Sequence, residues 1–174
     1  MKVLVAYMSQ TGNTKKVAQA MFDEIADMKE MKRIEEVESI VDYDLAFLGF
    51  PIHGEGPDKK TTGLIVRLCV EGTRVVLFVT HASPQDAEEL PAMLRKFSEA
   101  AHQAEVVDMF DCQGQLAKAL RMFMLVMPNA KYRRWARNDN SQGQPDEAQL
   151  NRARAFTRDV MKRVGAPRAL ATAA

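Results

Sequence analysis

The sequence predicts an α/β protein, a doubly wound parallel sheet with helices on both faces. Two observations carry that prediction. Four short apolar runs, residues 3–7, 45–50, 75–80 and 106–110, are rich in Val, Leu and Phe and do not alternate with polar residues. Strands covered on both faces read that way. Amphipathic patterns of helical period lie between the runs, and strands alternating with helices build parallel sheets.

Taken in order, residues 3–7 form the first strand and a polar turn follows. Val17, Met21 and Ile25 then share one helix face, joined by Ala18 and Phe22. A fifth, weaker strand is placed in "RIEEVESI", residues 33–40, short and acidic as an edge strand can be. Residues 45–50 are the next strand. A helix over 59–70 turns Leu64, Val66 and Leu68 inward, and one over 86–101 does the same with Leu90, Met93, Leu94 and Phe97. After Phe110, "GQLAKALRMFMLVM" reads as an apolar helix that stops at Pro128. The stretch "PNAKYRRWARNDNSQGQP" reads as a long irregular connection, polar and basic. Pro145 stands near the first turn of a last helix over 147–164, where proline is tolerated. Residues 165–174 hold too little apolar surface to pack and are expected to fray. No repeat or linker divides residues 1–164, so they are read as one domain.

A chain of 174 residues buries about 70% of its unfolded surface and needs no disulfide or metal to hold a core. The two cysteines form no CxxC and the three histidines show no zinc-ligand spacing, so no metal site is expected. Cys69 lies in an apolar helix pattern, and Cys112 is read as a buried thiol after the last strand. The apolar run behind Lys2 is too short for a signal peptide, and no stretch approaches the ~18 apolar residues of a membrane span. A cytoplasmic location is the expectation. Charge is unevenly spread: residues 1–114 hold 12 Lys+Arg against 19 Asp+Glu, residues 115–174 hold 12 against 4. Such asymmetry marks either a docking surface or solvated helix faces. "KYRRWAR", residues 131–137, has a composition that nucleic acid tolerates, but the near-neutral chain around it favours partner docking or a solvated loop.

Open parallel sheets bind ligands at the carboxyl ends of their strands. Three loops follow such ends here. The first, "SQTGNT", leads into a helix N-terminus, where unpaired N–H groups favour an anion. Gly12 permits close backbone approach, and Ser9, Thr11 and Thr14 add hydroxyl donors. The plainer reading is a helix cap by Thr11 or Asn13. GxGxxG is absent, and "GEGPDKKT" fails the phosphate-loop spacing.

These loops carry a resemblance. "SQTGNT" after the first strand, "FLGFPIHGEG" after the third and "VTHASP" after the fourth resemble the flavodoxin family, from Met1 to about Val164. "FDCQGQL" and "PDEAQLNRARAF" resemble a branch of small flavodoxin-domain proteins. The resemblance implies a flavodoxin-like, five-stranded parallel sheet that binds one FMN at its carboxyl edge. Its phosphate would sit in Ser9, Gln10, Thr11, Gly12, Asn13 and Thr14. Its ring would lie between Pro51, Ile52, His53, Gly54, Glu55 and Gly56 on one side and Thr80, His81, Ala82 and Ser83 on the other. Flavodoxins flank the ring with aromatic side chains, often Trp and Tyr. These loops offer Ile52, His53 and His81 instead. Tyr132 and Trp135, in the basic segment, are open between the ring, a partner and plain packing.

The resemblance implies electron transfer between redox partner proteins, a reductase and an acceptor, with no catalytic residue of the chain's own. Two other readings stand beside it. One is an FMN-dependent NAD(P)H reductase of quinones or similar acceptors. The other is a binding module that keeps the fold without FMN.

Overall fold

The structure is a computed structural model that describes residues 1–165. The tail expected to fray lies outside these residues from position 166 on. The elements run β1 (Lys2–Tyr7), α1 (Asn13–Glu24), β2 (Met28–Arg33), a 3-10 turn (Ile34–Glu36), β3 (Leu45–Pro51), α2 (Lys59–Leu68), β4 (Arg74–His81), α3 (Leu90–Ala100), β5 (Glu105–Gln113), α4 (Lys118–Val126), α5 (Ala130–Arg137) and α6 (Glu147–Gly165). The five strands form one sheet in the order β2-β1-β3-β4-β5, and every neighbouring pair is parallel.

The non-alternating runs are explained by burial on both faces. Leu4, Ala6, Ala46, Leu48, Phe50, Val75, Leu77 and Val79 join Ile65 and Leu68 of α2 and Phe97 of α3. Val3, Val5, Tyr7, Leu45, Phe47, Val76 and Phe78 join Val17 and Met21 of α1 and Val160 of α6 on the opposite face. Successive strand residues point to opposite sides, so a strand covered twice needs apolar residues throughout.

Four expectations are corrected. The edge strand is β2, "MKEMKR", five residues upstream of where it was placed. In "RIEEVESI" the buried residues are Ile34, Val37 and Ile40. A spacing of three cannot put them on one face of a strand, whereas a 3-10 turn and its continuation can. The strand itself pairs on one side only and is half exposed, so it carries no apolar signature. In α2 Leu68 is buried as expected and Leu64 packs half-buried against the core, but the other inward apolar residue is Ile65, and Val66 is exposed. β5 runs on to Gln113, so Cys112 lies inside the strand and not after it. The connection after Pro128 is not irregular. Asn129 accepts the backbone N–H of Lys131 at 2.9 Å and caps α5, whose helix-competent run was masked by its charge.

α4 is poorly covered. Met124 is buried, but Leu120, Met122, Phe123 and Val126 are exposed. Among the described residues, no helix is long and apolar enough to cross a membrane.

Gly49 sits opposite Phe78 in the β3–β4 register, and a Cβ there would overlap the Phe78 ring. That ring is fully buried and has nowhere to move. Gly49→Ala should therefore cost about 3 kcal/mol, the upper end of ordinary overpacking. Urea unfolding at neutral pH checks this, and wild-type stability in the variant would show that the ring relocates freely.

Candidate functional site

β1 and β3 are neighbours in the sheet, but the helices that follow them pack on opposite faces. α1 buries Val17 and Met21 on one side, α2 buries Ile65 and Leu68 on the other. Between the two departures the strand ends are left uncovered, which makes this the crevice in which an open α/β sheet takes a ligand.

The loop after β1 lies in that crevice. Gly12 has φ +92°, a left-handed conformation that an L side chain rarely adopts. Its N–H donates to Ser9 Oγ at 3.1 Å, which closes the turn. α1 then starts at Asn13 with no side-chain cap and no acidic residue in its first turn. α2 differs: Asp58 Oδ1 accepts the Thr61 N–H at 2.7 Å. Capping by Thr11 or Asn13 is therefore not what this loop does. The first-turn N–H groups of α1 stay available to an anion.

The remaining side chains of the loop divide their roles. Gln10 and Thr11 are exposed. Thr11, Asn13 and Lys16 line a cavity of about 400 Å³ together with Gln115, Leu116 and Lys118. Asn13 Nδ2 donates to the Gln115 carbonyl at 2.8 Å. Gly114 makes that approach possible, because a Cβ there would come within 2.9 Å of Asn13. Thr14 is buried, and its hydroxyl shares a 2.9 Å hydrogen bond with that of Thr80, itself buried at the end of β4. Thr14 thus clamps the first loop to the third.

The second loop is tied to the third as well, since Ile52 N–H donates to the Thr80 carbonyl at 2.8 Å. Pro51 ends β3, and Ile52 and His53 are half-buried. Gly54 and Gly56 have φ +74° and +148°, and His53 N–H reaches back to the Gly56 carbonyl at 3.3 Å. Lys96 Nζ of α3 donates to the Glu55 carbonyl at 2.8 Å and holds the turn from outside. His53 Nδ1 lies 3.2 Å from Asp58 Oδ2. Hydrogen bonds from Thr61 and then His53 hold the Asp58 carboxyl below its ordinary range.

His81 is 3% exposed, so its ring is part of the protein interior. Its Nδ1 faces the Ser83 carbonyl at 2.9 Å and its Nε2 faces Asp111 Oδ2 of β5 at 3.2 Å. Both partners are acceptors, and only the doubly protonated ring donates to both. Gln85 Nε2 also donates to Asp111 Oδ2. Burial pushes the Asp111 carboxyl up, but the hydrogen bonds from His81 and Gln85 and the charges of His81 and Arg152 outweigh it and hold the group below its ordinary range. His81 therefore shapes the loop through Ala82 and Ser83 from beneath. Cys112, buried beside it in β5, has its thiol pushed up to about 12 by burial. It is a packing residue, not a nucleophile.

Sequence reasoning missed Asp111, Gln113 and Gln115. Gln113 Nε2 donates to the Ala82 carbonyl at 3.3 Å and to Asn140 Oδ1 at 2.8 Å. The one available signal was a glycine between two glutamines at the end of a strand.

The comparisons with known proteins agree with this fold. A flavodoxin domain model matches residues 4–158. The chain belongs to the flavodoxin family. A flavodoxin-like domain-containing protein, BilS, of Clostridioides difficile (strain CD3) is 31% identical over 172 residues, 92% of this chain and 97% of that protein. Oxidised flavodoxin 1 of Bacillus cereus superposes with a TM-score of 0.60 at 16% identity, covering 93% of this chain and 98% of that one. A flavoprotein of Lactobacillus acidophilus NCFM, solved in complex with FMN, gives 0.52 at 21%, covering 63% and 92%. The structural likenesses speak for the fold, which is the five-stranded flavodoxin sheet.

Asp111 gives a pH dependence with a definite sign. A carboxyl held low in the folded state stabilises it fully above the unfolded pKa of about 4 and loses that contribution as pH falls through the folded value. Asp111→Asn should be less stable at pH 7 and should show a shallower acid limb between pH 5 and 2. Urea unfolding across that range decides the matter; superimposable limbs would mean the His81–Asp111 pair contributes nothing.

Proposed function

We propose that this flavodoxin-family chain binds one FMN non-covalently at the carboxyl edge of its sheet and carries electrons between redox partner proteins. The observation that carries the reading is the left-handed Gly12 and the uncapped first turn of α1, set at the crevice between β1 and β3. A phosphate monoester is an anion with several acceptor oxygens, and consecutive free N–H groups at a positive helix end meet it without a fixed Arg or Lys. The complex of the L. acidophilus flavoprotein with FMN supports the choice of ligand.

The residues present fit that ligand. The phosphate would be held by the N–H groups after Gly12 and by the exposed Thr11 hydroxyl, with Lys16 at the cavity wall. The loops 51–56 and 80–83, joined through the Thr80 carbonyl, would border the ring. Bound FMN supplies one- and two-electron redox chemistry, and the chain's part is to bind, orient and shield it. Both ring nitrogens of His81 already have partners, which makes it a support for the ring loop.

The protein purified from cells should show flavin absorption, and the stripped protein should quench added FMN fluorescence to a one-to-one endpoint. A colourless protein that leaves FMN emission unchanged would overturn the flavin reading. Rapid NAD(P)H oxidation by the purified protein alone would contradict the carrier role. Within the cradle, Thr11→Ala removes a hydrogen bond to a charged group, worth about 1.5–3 kcal/mol. FMN affinity should fall roughly 10- to 150-fold while riboflavin, lacking the phosphate, is little affected. Equal losses for both ligands would move the phosphate elsewhere.

A further inference from the structure

The loops that border the proposed ring site contain no Phe, Tyr or Trp, yet the protein has one tryptophan, and the fold brings it to the same edge of the sheet. Trp135 lies on α5, and two independent contacts fix where that helix stands. At its N-terminal end Lys131 lines a cavity of about 260 Å³ with Glu55 of the second loop and with Met93 and Lys96 of α3. One turn later Trp135 packs, half-buried, against the cluster of Leu116, Met124 and Ala136, and Ala82 of the third loop packs against the same cluster. Residues four apart share a helix face. The face that carries Lys131 and Trp135 therefore reaches from the Glu55 loop to the Ala82 loop. The hydrogen bonds of Gln113 to the Ala82 carbonyl and to Asn140 tie the chain leaving α5 to that loop as well.

We propose that α5 is the third wall of the ring site and that Trp135 supplies the aromatic contact to the isoalloxazine that the two loops lack. The inference rests on the FMN reading above. A flat, polarisable indole suits a flat heteroaromatic ring, and such stacking ignores whether the ligand carries a phosphate. That indifference separates it from the cradle. The half-buried state fits as well: part of the side chain packs on the cluster of Leu116, Met124 and Ala136, and the rest remains free for a ligand.

The test titrates FMN and riboflavin into the wild type and into Trp135→Leu and Trp135→Phe, with thermal melts to confirm folding. Leu keeps bulk for the cluster of Leu116, Met124 and Ala136 but offers no π face. Trp135→Leu should weaken both ligands by the same factor, about tenfold or more, whereas Thr11→Ala weakens FMN alone. Trp135→Phe should retain most of the affinity, and its bound flavin should fluoresce more brightly, because Phe is a poor electron donor to the excited ring. A folded Trp135→Leu that binds both ligands like the wild type overturns the proposal, leaving Trp135 a packing residue. If Trp135→Leu does not fold, the Phe variant decides: bound-flavin emission identical to the wild type also overturns it. A wild type that binds no FMN overturns the function reading, and this inference falls with it. Normal FMN binding with insensitive variants overturns this inference alone.

Discussion

Helices that leave two adjacent parallel strands on opposite faces of a sheet cannot both cover the strand ends, and the site depends on that constraint. In this chain it falls between β1 and β3, where α1 goes to one face and α2 to the other. The uncovered edge is then closed by cross-loop hydrogen bonds, not by a helix. Thr14 meets Thr80, Ile52 meets the Thr80 carbonyl, and Asn13 meets the Gln115 carbonyl. Thr80 is the common member of the first two, so one buried residue at the end of β4 sets the spacing of all three loops.

The part of the fold that burial dictates was legible in the sequence. β1, β3 and β4 are covered twice, and the side chains along the middle of each strand had to be apolar on both faces. The loops of the site were legible for a different reason: Gly12, Gly54 and Gly56 sit where positive φ is required, and polar residues crowd around them. β2 was not legible because an edge strand pairs on one side and "MKEMKR" satisfies it without an apolar face. α5 was not legible because four basic residues hide a helix whose only buried anchor is Ala136. His81 looked like a loop residue open to a ligand; the carboxylate that draws it inward lies 30 residues away on another strand. Spatial pairs of that kind leave no local signal.

The uneven charge of the two halves is partly resolved by the fold. Arg158 of α6 pairs with Glu24 of α1 at 2.8 Å, and Arg163 pairs with Asp108 of β5. Those basic residues join the last helix to α1 and to the edge strand β5. The positive charge of α5 is placed otherwise, on a helix that stands beside the ring loops.

The central claim is that the first turn of α1 holds the phosphate of FMN through its backbone N–H groups. Amide chemical shifts of the isotope-labelled protein report those groups one by one. On addition of FMN, the Asn13, Thr14 and Lys15 amide protons should move downfield, as strong charge-assisted hydrogen bonds require. Riboflavin should leave them nearly in place while still shifting residues of the loops 51–56 and 80–83. Identical shifts at these amides with both ligands, or FMN shifts confined to other elements, would contradict the account.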